Sequence, residues 1–182
     1  LPPKLFTTNP YGNTPTFTIV RNPYTRCVSE FYCKWKGYKG GDLTNVTVMN
    51  QWIQQQIRSR LGGNQLFTKA LHFTPQQHYV YDDDGSQIVR HVLRYETLQL
   101  DFHNLMDSYN LTIQLPDKSH GVNIARTSTV KLTAANLTAS TIALINEYYL
   151  EDFQKFGYTL LSRRTWESKF RELAFANQTL QY

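Results

Sequence analysis

Arg21 and Ser29 stand eight residues apart in the stretch from Thr16 to Trp35, which reads TFTIVRNPYTRCVSEFYCKW. A guanidinium offers a planar pair of donors, and a hydroxyl offers a third. Together these groups suit the oxygens of a phosphate. The β-branched and aromatic run from Thr16 to Val20 predicts a buried strand. Pro23 must interrupt it, because proline has no N–H to give a ladder and turns its predecessor away from helical angles. Thr25 is then placed to cap a helix whose Val28, Phe31, Tyr32 and Trp35 recur at helical spacing. A strand, a tight turn and a helix with arginine at its mouth form an anion cradle, since free N–H groups and the positive end of the helix dipole face the turn. A βα turn in which Arg21 pairs with a carboxylate would carry the same residues.

Other residues that could do chemistry give weaker patterns. His72, His78, His91, His103 and His120 show no helical pairing, so no zinc site is inferred, and His72 reads equally as a hydrogen-bonded structural histidine. Asp82-Asp83-Asp84-Gly85 lacks the alternate spacing and distal glutamate of a calcium loop and reads as a solvated turn. Cys27 and Cys33 both fall on the predicted first helix, pointing about 120° apart around its axis, too divergent for a mutual bridge. They read as small buried hydrophobes. Asn45, Asn110, Asn136 and Asn177 each begin an Asn-x-Thr glycosylation sequon, which leans towards the secretory pathway.

The elements that must position these groups are those of one α/β domain. At 182 residues, 41% hydrophobic and 14% aromatic, the chain suits a single folded unit over residues 1–182, with 1–15 an irregular lead-in rich in proline. No apolar stretch is long enough to span a bilayer. The first residue is Leu1 rather than Met, which reads as a mature piece or a fragment. Nineteen Lys and Arg against fourteen Asp and Glu give +5, a surplus suited to a nucleotide, a sulfated glycan or nucleic acid. The tightest basic group, Arg163 and Arg164 with Lys169 and Arg171, reads as a solvated helix face. Periodicity predicts further helices over 48–61, 96–108 and 138–156, the last ended by Gly157, and a final one capped by Thr165. Strands are predicted over 78–81 and 88–93, a short helical turn over 65–72, and a long polar loop over 115–135. Strand-to-helix passages in succession imply a mainly parallel sheet flanked by helices.

Several segments, in order, resemble the Golgi carbohydrate-sulfotransferase-like family. RNPYTRCVS resembles its 3′-phosphate-binding motif, HFTPQ over 72–76 its His-x-x-Pro-Gln segment, VLRYETLQLDF over 92–102 its strand ending in Arg-Phe-Glu, and EYYLEDFQKFGY over 147–158 its C-terminal Tyr-x-x-Asp-Phe-x-x-Phe-Gly-Tyr element. The resemblance implies a sulfotransferase or P-loop-NTPase-like fold, with 3′-phosphoadenosine 5′-phosphosulfate (PAPS) as sulfuryl donor and its spent form PAP as product. Arg21 and Ser29 would hold the 3′-phosphate. The acceptor would be a hydroxyl or amine of a glycan or glycoprotein, and His72 is a weak candidate on the acceptor side. The compartment implied is the Golgi lumen or secretory pathway, with membrane attachment only through a segment not present here. The family's Pro-Lys loop for the 5′-phosphosulfate has no counterpart in these residues, since Pro3-Lys4 has neither a preceding strand nor the small-residue run, so the fold reads as N-terminally incomplete. The family's Leu-Pro-His-x-Asn stretch is replaced by Leu115-Pro-Asp-Lys-Ser-His-Gly-Val-Asn123. Two other classes remain open. One is a non-catalytic subunit of this fold used for binding or assembly with a protein partner. The other is a nucleic-acid-binding domain, supported by charge and aromatic content alone.

Overall fold

The structure is a computed structural model that describes residues 6, 8, 11–61, 71–116 and 131–162. Two strands, β1 (Phe17–Val20) and β2 (His91–Arg94), pair in parallel, with Phe17 opposite His91 and Val20 opposite Arg94. The expected mainly parallel sheet is therefore, among the described residues, a two-stranded one. Helix α1 (Pro23–Phe31) follows β1 after two residues, and α2 (Val46–Leu61) packs beside it. The short α3 (Gln77–Val80) precedes β2, and α4 (Leu98–Ser108) follows it through a 3₁₀ turn over Tyr95–Thr97. Helices α5 (Ala139–Tyr148) and α6 (Leu150–Phe156) complete the described elements.

The period-2 alternation of the strands divides these helices between two faces. Leu93 points to α4, where it is buried with Phe102, Leu105 and Met106, and Phe17 meets the Phe102 ring edge-on at 6.0 Å. Val20 and Val92 point to the other face, where Val20 is buried with Val80 of α3 and Phe156 of α6. The largest core lies beyond that face. There Tyr24, Cys27, Val28 and Phe31 of α1 meet Met49, Ile53 and Ile57 of α2, Ile142 and Ile145 of α5, Phe153 of α6 and Tyr149 at the junction of those two helices. Asn50, itself buried, donates to the carbonyl of Asn136 and accepts from the amide of Thr138, tying α2 to the start of α5.

Several expectations are corrected. Asn22, not Thr25, caps α1, its side chain accepting from the Tyr24 amide at 3.0 Å with Pro23 at the first helical position. The helix stops at Phe31, so Cys33 and Trp35 lie outside it. Tyr38 stacks on Phe31 at 5.3 Å and its amide bonds the Phe31 carbonyl, which folds the chain back over the helix end and leaves Trp35 68% exposed. Residues 77–80 form a helical turn rather than a strand, because the amides of Gln76 and Gln77 point together at the carboxylate of Asp152. The strand expected over 88–93 is shifted to 91–94, and Asp82–Gly85 is an exposed turn with Gly85 at φ +84°. The long helix over 138–156 is broken at Tyr149, whose buried hydroxyl donates to the carbonyl of Phe73. Thr138 does cap it, and Gly157 ends it in the left-handed conformation at φ +64°. Most of the 65–72 turn and of the 115–135 loop, and all of the helix expected after Thr165, lie outside the described residues.

Candidate functional site

Arg21 lies at the carboxyl end of β1, where the chain turns into α1. Its backbone is held on both sides by one side chain: Gln76 accepts from the Arg21 amide and donates to the Arg21 carbonyl, each at 2.8 Å. Its guanidinium is held from two directions as well. Nε donates to Thr25 Oγ1 at 3.1 Å, and the guanidinium carbon sits 4.2 Å above the Tyr95 ring. The next amide, that of Asn22, donates to Glu96, whose other oxygen accepts from the Tyr158 hydroxyl at 2.9 Å. Glu96 therefore braces the turn, and Arg94 donates to the carbonyl of Phe156 and stacks on Tyr158. That acceptor and burial together push the Tyr158 hydroxyl well above the ordinary tyrosine range, burial being the larger cause, so it stays a donor.

Gln76 is fixed in turn. The carboxylate of Asp152 in α6, fully buried, accepts from the amides of Gln76 and Gln77 at 2.8 Å each and from Gln76 Nε2 at 3.3 Å. Burial raises the Asp152 carboxyl above its ordinary value, and these three donors offset only part of that. The four segments that carry the resemblance thus converge on one turn. Gln76 comes from the second, Tyr95 and Glu96 from the third, and Asp152 and Tyr158 from the fourth.

Arg21 and Ser29 line a single cavity of about 410 Å³. Its lining includes Thr25 and Ser29, one turn apart on α1, Tyr32 just past the helix end, Tyr95 and Lys131. The described lining carries two cations and no carboxylate. Such a cavity can take an anion: a fork of donors from Arg21, a hydroxyl from Ser29 and an ammonium from Lys131. No carboxylate pairs with the Arg21 guanidinium among the described residues, so the alternative of an ion-paired turn has no partner there.

His72 is not part of that cavity. Its Nδ1 lies 2.9 Å from Glu30 Oε2, near the end of α1. Of the sequon asparagines, Asn45 and Asn110 are exposed, Asn136 is half-buried with Oδ1 accepting from the Thr133 amide, and Asn177 lies outside the described residues. The basic group over 163–171 also lies outside them. Sequence reasoning missed Thr25, Tyr95 and Lys131. The spacing of Thr25 four residues after Arg21 could have marked the first, while Tyr95 and Lys131 reach the cavity only through tertiary packing. No helix of the described residues is long and apolar enough to cross a membrane.

A family model described as "Sulfotransferase family" matches residues 3–159 of the chain. No curated protein and no solved structure gives a significant match.

Proposed function

The chain belongs to the sulfotransferase family, and on that premise we propose that it binds PAPS through Arg21 and Ser29 and passes the sulfuryl group to a hydroxyl or amine of a glycan. The observation that carries this reading is the shared cavity of Arg21 and Ser29 at the carboxyl ends of two parallel strands, where open α/β sheets collect their ligands. Arg21 and Ser29 bond the 3′-phosphate. Thr25, Tyr95 and Gln76 hold Arg21 in place beforehand, so little rotamer freedom is lost on binding. Lys131 adds a second cation to the lining.

The transfer is an in-line displacement at sulfur. The acceptor oxygen or nitrogen forms a bond to sulfur while the bond from sulfur to the 5′-phosphate oxygen breaks. The electron pair leaves on that phosphate, and the acceptor proton passes to a base. By analogy with phosphoryl transfer, positioning and charge stabilisation supply most of the rate. His72 does not line the donor cavity, and no base is assigned. A luminal, secretory location is supported by the sequons, of which Asn45 and Asn110 are open to modification.

Calorimetry with PAP and with adenosine 5′-phosphate, which lacks the 3′-phosphate, tests the donor site. PAP is expected to bind at least about tenfold more tightly, the value of one or more charge-assisted hydrogen bonds. Arg21→Lys should remove most of that preference, because an ammonium cannot reproduce a two-pronged contact. Equal affinity for the two nucleotides would overturn the assignment.

A further inference from the structure

We propose that Glu30, Cys33 and His72, none of which lines the donor cavity, form a binding site for zinc or a similar borderline-soft divalent cation. Glu30 lies in the last turn of α1, Cys33 three residues on, and His72 in the 3₁₀ turn over Leu71–Phe73. A carboxylate oxygen, a thiol sulfur and an imidazole nitrogen from these residues all lie within 4.8 Å of one another, and all three residues are half-buried. Around a tetrahedral zinc, with bonds of about 2.0–2.3 Å, ligand atoms lie about 3.5 Å apart. The triad therefore needs shifts of well under a rotamer change to close on an ion, with the 2.9 Å Glu30–His72 contact opening and the widest pair drawing in.

The backbone beneath the triad is already set. The Cys33 amide donates to the Glu30 carbonyl at 3.0 Å, and the Gly37 amide donates to the Cys33 carbonyl at 2.8 Å. A Cβ at Gly37 would come within 2.6 Å of the carbonyl oxygens of Cys33, Glu30 and Phe31, so the return of the chain that pins Cys33 requires glycine. On the other side, Arg26 Nη2 donates to the carbonyls of His72 and Thr74, fixing the turn that presents the imidazole. The two halves of the site, 42 residues apart, are each locked before any ion arrives.

The donor set favours one class of metal. A Glu30–His72 ion pair alone would be an ordinary half-exposed contact, worth little. The sulfur of Cys33 turns it into a mixed S, N, O set, which suits zinc and disfavours magnesium or calcium. Three protein ligands leave a fourth position for water. Bound there, the ion would clip the end of α1 to the segment that carries Gln76. The inference stands on these three residues and does not depend on the donor assignment.

The test uses the whole chain with zinc chloride and with cobalt(II) chloride as a spectroscopic stand-in. One equivalent of zinc is expected to bind. Cobalt should show a thiolate-to-metal charge-transfer band that vanishes in Cys33→Ser, and zinc should shield Cys33 from alkylation, read by peptide mass mapping. Cys33→Ser and His72→Ala should each weaken binding by about tenfold or more, since even an outer-shell partner is commonly worth that much. Cobalt binding without a thiolate band, unchanged affinity in Cys33→Ser, or no protection of Cys33 at saturating zinc would overturn the proposal. The alkylation experiment needs no variant and decides the question should a substitution fail to fold.

Discussion

Two cavities of nearly equal size, about 410 and 380 Å³, open at opposite ends of the same pair of strands. At the carboxyl ends, beyond Val20 and Arg94, Arg21 is held through Gln76 to Asp152, and its neighbour Asn22 through Glu96 to Tyr158. At the amino ends, Phe17 and His91 are joined by Phe102, Leu105, Met106 and Ile113 around an almost wholly apolar hollow. Its lining side chains make two hydrogen bonds among the described residues, between His91 Nε2 and the Tyr109 hydroxyl at 2.8 Å and from the Arg90 amide to Thr16 Oγ1 at 3.4 Å. Volume does not distinguish the two. What does is how many distant parts of the chain hold the lining in place, and at the carboxyl ends a parallel pair gathers its loops and a helix N-terminus on one side.

The sharpest way to break this contrast is to remove its deepest brace. Asp152→Ala leaves the two buried amides of Gln76 and Gln77 without an acceptor, each costing about 1–3 kcal/mol, and takes from Gln76 Nε2 one of its two bonds, so a loss of about 3 kcal/mol or more in unfolding free energy is expected from urea titration. PAP affinity should fall with it, because Gln76 no longer holds the Arg21 backbone. Retention of both would show that the buttress is ornamental.

A smaller effect is expected from Tyr95→Ala, which removes the ring beneath the Arg21 guanidinium. A cation–π contact of this exposure is worth about 0.5–1 kcal/mol, so PAP should bind roughly twofold to fivefold more weakly by calorimetry. A change of a hundredfold would mean that Tyr95 meets the nucleotide itself.

The pH dependence of stability sharpens the same end. Burial raises the Asp152 carboxyl above its ordinary 3.8, so the folded chain holds this proton more tightly than the unfolded one. The contribution of Asp152 is then fully present below pH 3.8 and is lost as pH rises through the higher folded value, opposite in sign to the usual braced carboxylate. The difference in urea midpoint between the wild type and Asp152→Asn, followed upward from pH 3.8, should therefore shift against the wild type. A difference that moves the other way would mean that the three donors outweigh burial.

The least effect is expected at the apolar end. Phe17→Ser removes an edge-on contact with Phe102 worth about 0.5–1.5 kcal/mol from a ring that is already 46% exposed. Its PAP affinity should equal that of the wild type. A clear loss would place the two cavities in one functional unit.

How much of this was readable in the sequence depended on how far apart the cooperating residues lie. β1, the turn at Arg21 to Pro23 and the start of α1 were readable because proline, a capping side chain and helical spacing act within a few residues. Even there the cap was misplaced, since Asn22 and Thr25 both fit and only the fold assigns Thr25 to Arg21. Residues 77–80 carry strand-like side chains, yet a carboxylate 75 positions from Gln77 sets their backbone. The break at Tyr149 likewise answers to the carbonyl of Phe73, which periodicity cannot see. The grouping of Glu30, Cys33 and His72 is invisible to histidine spacing because the three residues differ in type and come from two segments.

The hydrogen bonds that hold the Arg21 turn join residues 55, 74 and 76 positions apart, and this has a kinetic consequence. Each requires closure of a long loop before it gains anything, so such contacts form late, after the locally connected helices have collapsed. A nucleotide that recognises the finished turn has little to grip in the folding transition state. PAP should therefore slow unfolding in stopped-flow experiments while leaving the refolding rate unchanged, and faster refolding in its presence would mean that the turn is built early. The donor would act on this chain as a brake on its opening, prolonging the life of the native state without hastening its arrival.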